Sequence, residues 1–107
     1  CMHEITAIEA AQRLSDEPDT TILLDVREVQ ELGFAAVTGA LHIPMGETPD
    51  RLAELDPDKT IICMCHSGGR SAQVASFLAA QGYTKAINLA GGINAWSELV
   101  DKDVPTY

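Results

Sequence analysis

Apolar residues along this chain fall into short blocks spaced at about 20 residues and separated by polar turns, the spacing of alternating strands and helices. Residues 21–26 (Thr-Ile-Leu-Leu-Asp-Val) and 60–64 (Thr-Ile-Ile-Cys-Met) are nearly continuous apolar runs, and residues 86–89 form a third. Runs of this kind belong to strands covered on both faces. Residues 4–6 read as a short extended start, and residues 40–43 as a short strand stopped by Pro44. Helical patterns lie between. Thr6-Ala7-Ile8-Glu9 is a capping box, and its helix runs to about Leu14 with Ile8, Ala11 and Leu14 on one face. Residues 28–32 predict a short helix closed by Gly33. Thr48-Pro49 predicts another, with Thr48 as the cap and Pro49 at its first position, ending near Leu55. The strongest helical pattern covers residues 70–81, where Val74, Phe77 and Leu78 share a face with Ser71 one turn earlier and Gly82 follows as a stop. A last helix, residues 93–99, carries Trp96 into the core. Residues 100–107 read as a polar, frayed tail. The alternation predicts an α/β domain, with a central, mostly parallel sheet of about five strands and helices on both faces. In such sheets the functional site sits at the carboxyl ends of the strands, and the loop at 65–69 lies at one of them.

A chain of 107 residues fits one domain, here residues 1–107 with a core at about 4–99 and a tail at about 100–107. It buries roughly two-thirds of its unfolded surface and needs neither metal nor disulfide to fold. No apolar run is long enough to cross a membrane, and no basic, apolar leader is visible at the start. The formal charge is −9, which argues against nucleic-acid binding. That charge is unevenly placed. Residues 1–58 hold 13 acids and three bases, whereas residues 59–97 hold no acid and three bases, Lys59, Arg70 and Lys85. A stretch without carboxylates can hold an anion site inside an acidic protein.

Three cysteines are present, Cys1, Cys63 and Cys65. An odd, small number beside a normal core points to reduced thiols rather than a disulfide framework. Zinc is not expected, since Cys63, Cys65 and His66 crowd together while His3 and His42 are remote in sequence. Cys1 before Met2 reads as an added residue or as the edge of a piece cut from a longer chain. Cys63 lies mid-strand between Ile62 and Met64 and belongs to the core. Cys65 differs, because His66-Ser67-Gly68-Gly69-Arg70-Ser71 follows at once. Two glycines let successive N–H groups converge on one point. The helix that follows adds its free N–H groups and partial positive charge. Arg70 adds a permanent cation with a planar donor fork. The loop has no carboxylate of its own. These features favour a thiolate at Cys65, with its pKa lowered from the ordinary thiol value of about 8.5.

At these residues the chain resembles the rhodanese-like sulfurtransferase family. Cys65–Ser71 is similar to that family's active-site loop. Leu23-Leu24-Asp25-Val26-Arg27-Glu28, with Glu31, Gly33 and Gly39-Ala40-Leu41-His42-Ile43-Pro44, resembles its N-terminal signature. Leu89-Ala90-Gly91-Gly92-Ile93-Asn94-Ala95-Trp96 resembles its C-terminal signature. The resemblance spans residues 4–99 and implies a rhodanese fold, a sulfur-carrying Cys65 and a cradle made by the backbone from His66 to Ser71. It implies two half-reactions: the Cys65 thiolate takes the outer sulfur of a donor such as thiosulfate, and a thiol or cyanide acceptor then removes it. No cofactor is implied. The related phosphatases and arsenate reductases place an arginine six positions after the cysteine. Here Arg70 is five after Cys65 and seven after Cys63, so neither cysteine has that spacing.

The remaining candidates are of lower rank. The His66 side chain is a candidate substrate contact, although an ionised thiolate needs no general base and the backbone N–H is the stronger contribution. Ser67 and Ser71 read first as helix-capping hydroxyls, with a bond to the persulfide as the alternative. Asp25 and Arg27, at the end of the first buried strand, read first as paired structural charges, with Arg27 to Glu31 as one candidate pair, and Arg27 as a second-rank substrate contact by the resemblance. His42 reads as a hydrogen-bonded scaffold residue, and Gly91-Gly92 as a site of close packing beside the loop. Partners expected are a small anionic sulfur donor, an acceptor and a persulfide-donor protein, with no nucleic acid or membrane and a monomer by default. A reduced thiol suggests the cytoplasm. The rival to an enzyme is a rhodanese-fold sulfur carrier or partner-binding module, favoured by sparse positive charge. A third reading makes Cys63 and Cys65 an oxidant-sensing pair.

Overall fold

The computed structural model describes residues 3–106; Cys1 and its reading lie outside them. The apolar runs form a five-stranded parallel sheet in the order β1-β5-β4-β2-β3. The strands are β1 (His3–Ile5), β2 (Thr21–Asp25), β3 (Leu41–His42), β4 (Thr60–Met64) and β5 (Ala86–Leu89). The four helices are α1 (Ala7–Asp16), α2 (Val29–Leu32), α3 (Gly69–Ala80) and α4 (Gly92–Leu99), and a 3₁₀ segment covers Met45–Glu54. β4 is the middle strand, with Ile62 in register with Leu23 on one side and Ile87 on the other.

Side chains alternate across a strand, so β4 feeds two separate cores. Ile61, Cys63 and Cys65 join Leu24, Val26, Val74 and Leu78 on the α3 face. Ile62 and Met64 join Leu23, Leu89, Ile93 and Trp96 on the face covered by α1 and α4. All the β4 residues named here are at most 1% exposed. The β4 backbone is thereby fixed from both sides, and Cys65 is delivered at its carboxyl end.

Several local readings change. α1 is capped as read, with the Glu9 N–H donating to Thr6 Oγ1 at 3.2 Å, but it continues to Asp16. Its buried stripe is Ala7 and Ala10 with Ala11 and Leu14, while Ile8 is 55% exposed. The small alanines let α1 lie close to the sheet and turn the larger Ile8 outward. Thr48 does not cap a helix. It is buried and its hydroxyl donates back to the Pro44 carbonyl at 3.2 Å, inside a 3₁₀ segment that has already begun at Met45. Nor does the tail fray as far as Val104: this residue is 7% exposed in the second core, and its carbonyl accepts from the Ser97 hydroxyl. Among the described residues no helix is long and apolar enough to cross a membrane.

Candidate active site

Cys65 follows the last residue of β4, and α3 begins four residues later. Between them the chain must reverse, and Gly68 allows this with φ at +112° as the residue before the helix. The turn aims its amides inward. The Gly68 N–H donates to Cys65 Sγ at 3.0 Å, and the Ser71 hydroxyl lies 3.3 Å from the same sulfur. Burial alone would raise the Cys65 pKa. The Ser71 hydroxyl and the backbone N–H groups of Ser71, Gly68 and Ser67 more than offset it, and the pKa falls below the ordinary thiol value. Cys63, on the same face but sealed in the core, shows the contrast. Burial first, and then the neighbouring Cys65 charge, push its thiol up to about 12.

α4 holds the loop from behind. Ile93 N–H donates to the Cys65 carbonyl at 2.8 Å and Asn94 N–H to the His66 carbonyl at 3.3 Å. A Cβ on Gly92 would collide with both carbonyl oxygens, so only glycine permits this approach. The reading of Gly91-Gly92 as a close-packing site therefore has its physical reason.

The structure distributes the other candidates unequally. Ser67 and Gly69 are exposed on the loop, and His66 is partly buried. Ser71 is fully buried and not a cap: α3 has no side-chain cap, and the hydroxyl faces both Cys65 and Asn88 Oδ1, the latter at 2.6 Å. Arg27 is fully buried as a paired structural charge, and the carboxylate it takes is Asp25 rather than Glu31. Its Nε and Nη2 bond the two Asp25 oxygens at 2.9 and 2.6 Å, and Nη2 also donates to the Ala35 carbonyl at 2.8 Å. Glu31 meets Arg27 through its backbone carbonyl instead, at 3.4 Å. His42 bonds the Arg27 carbonyl through Nε2 at 2.6 Å, the scaffold role expected of it.

One residue and one pairing escape the sequence reading. Asn88, 1% exposed in β5, donates through Nδ2 to Glu4 Oε2 at 3.0 Å and the Gly68 carbonyl at 3.3 Å, which turns its oxygen toward Ser71. Its signal was a lone amide in an apolar strand, a group that must find partners when buried. The pairing is that of Glu31, whose carboxylate receives both terminal nitrogens of Arg70 at 2.5 and 2.8 Å. The loop has no acid of its own, and α2 supplies one from 39 residues away.

A parallel α/β domain with a cysteine in an amide cradle, at the head of a helix, has the geometry that favours a thiolate. Comparison with known proteins makes this specific. The rhodanese-like domain family matches residues 6–99, and the chain belongs to that family. It is 38% identical over 96 residues to a sulfurtransferase of Allochromatium vinosum, covering 90% of this chain and 89% of that protein. It is 26% identical over 95 residues to the thiosulfate sulfurtransferase GlpE of Pseudomonas entomophila, covering 89% and 87%. A rhodanese-like domain protein of Staphylococcus aureus superimposes with a TM-score of 0.83 at 31% identity, over 99% of each chain.

Proposed function

We propose that this protein is a sulfurtransferase that carries sulfane sulfur as a persulfide on Cys65. The observation that carries the reading is the sulfur of Cys65 facing the Gly68 N–H and the Ser71 hydroxyl, with its pKa held down. With thiosulfate as donor, the Cys65 thiolate attacks the outer sulfur and the S–S bond of the donor breaks. Sulfite leaves with the bonding pair, and Cys65 bears a persulfide with one negative charge. The cradle that stabilises the thiolate stabilises this anion also. A thiolate or cyanide acceptor then attacks the outer persulfide sulfur, and the Cys65 thiolate returns as the leaving group. No net oxidation or proton transfer is needed, so His66 requires no base role. Arg70 stands at the head of α3 with both arms of its fork on Glu31, so the charged part of a donor meets a guanidinium whose charge is already matched. Ser67, Gly68 and Gly69 contribute backbone, and Ser71 its hydroxyl.

The similarity to the thiosulfate sulfurtransferase GlpE supports thiosulfate as a donor, and the lowered thiol pKa supports a persulfide donor equally well. Mixing reduced protein with thiosulfate in the absence of acceptor tests the first half-reaction. One equivalent of sulfite should appear in a burst, and Cys65→Ser should abolish it. A folded, reduced protein that releases no sulfite from thiosulfate and takes no sulfur from an alkyl persulfide would defeat the reading.

A further inference from the structure

Arg70 is not aimed at an empty cradle. Its Nη1 meets Glu31 Oε1 and its Nη2 meets Oε2, so both arms of the fork end on one carboxylate. This is the planar, two-point geometry with which a guanidinium grips a carboxylate, phosphate or sulfonate. The contact is built in. The Glu31 side chain is only 16% exposed, and Oε1 also accepts from the Glu28 N–H at 3.1 Å. The Glu31 N–H donates to the Glu28 carbonyl at 3.0 Å, within the turn that opens α2. The Glu31 carbonyl accepts from Arg27, which is itself anchored on Asp25. A carboxylate tethered by its own helix turn and by a buried ion pair is a fixed element of the site.

We propose that Glu31 is a positioning residue that sets donor specificity through Arg70, disfavouring dianionic donors such as thiosulfate relative to alkyl persulfides. The inference rests on the sulfurtransferase reading above. A thiosulfate sulfonate must displace Glu31 from the fork, or else sit beside a guanidinium whose charge is already matched. An alkyl persulfide brings its single charge on the transferable sulfur and carries no second anionic group. It makes no demand on the Arg70 fork.

Glu31→Gln removes the charge and keeps both the length and an oxygen for the Glu28 N–H. The KM for thiosulfate should fall about five- to tenfold with kcat much less changed, and the thiosulfate-to-persulfide ratio of kcat/KM should rise by the same factor. Glu31→Asp keeps the charge but is too short to hold the fork, so it should move in the same direction by less. It decides the matter by the same readouts should Glu31→Gln not fold. Titration of sulfite into Cys65→Ser protein, with and without Glu31→Gln, reads the anion site without turnover, and affinity should rise on loss of the carboxylate. Unchanged or weaker thiosulfate KM and sulfite affinity in a folded Glu31→Gln protein would overturn the proposal. Equal losses with both donors would overturn it too, by showing that Glu31 serves only to hold Arg70 in place. Failure of the sulfurtransferase reading looks different: wild-type protein would take no sulfur from either donor, while the sulfite titration would still report on Glu31.

Discussion

Cys63 in β4 and Cys65 just past its end share a core, and what surrounds them pushes their thiols in opposite directions. Cys63 meets apolar neighbours and stays a thiol. Cys65 meets a hydroxyl and three amides and is poised to ionise. The pH dependence of alkylation should therefore separate them. Iodoacetamide should label Cys65 down to a pH below the ordinary thiol value of about 8.5 and leave Cys63 unlabelled in the folded protein. Ser71→Ala removes the hydroxyl, the largest of the contributions holding the Cys65 pKa down, so the inflection should move to higher pH. An inflection that stays put, read by mass spectrometry of the alkylated protein, would deny Ser71 that role. Asp25 and Arg27 form the other pair legible at this scale. Both are at most 1% exposed and bonded to each other, so Arg27→Leu strands a buried carboxylate. It should cost about 3–5 kcal/mol in urea denaturation. The sequence read Arg27 first as a paired structural charge, which it is, with Glu31 as one candidate partner and substrate contact as the second-rank role. Which partner each ion takes depends on the direction of the side chains, and neighbours in sequence do not specify that.

At the scale of elements, the strands were legible to within a residue or two, because burial on both faces writes an uninterrupted apolar run. The cradle was legible as well, since a strand, two glycines and a helix leave little choice of local geometry. Three local features were not. The 3₁₀ segment, the Ile8 face of α1 and the tail are decided by packing that a local pattern does not encode. The contact between α4 and the loop is where one element controls another. Gly92→Ala would drive a methyl group into the Cys65 and His66 carbonyls and hold a non-glycine residue at φ +58°. It should destabilise the fold by about 1–3 kcal/mol and slow persulfide formation. Gly46→Ala, where a Cβ meets nothing within 4 Å, is the matched control and should change neither. Equal effects of the two substitutions, measured by denaturation and by the sulfite burst, would remove the α4 contact from the explanation.

Across the whole molecule, the proposed chemistry sits at the carboxyl end of the central strand of a sheet whose two faces are packed independently. The second core includes the tail, so Val104→Ala should lower stability by about 1–2 kcal/mol without moving the pH dependence of Cys65 labelling. The charge pattern was half right at this scale. Residues 59–97 do supply the thiolate, its amides and Arg70, but the acidic half reaches in through Glu31, and Glu4 touches the same network through Asn88. Long-range pairs of this kind link residues 39 and 84 positions apart, and no local motif announces them. The decisive measurement is the intact mass of the reduced protein after incubation with excess thiosulfate, and in parallel with an alkyl persulfide, with Cys65→Ser as the control. Gain of one sulfur atom, removed by cyanide and absent from the Cys65→Ser protein, is the result this structure predicts. No gain from either donor on a folded, reduced protein, or a gain that persists without Cys65, would contradict it.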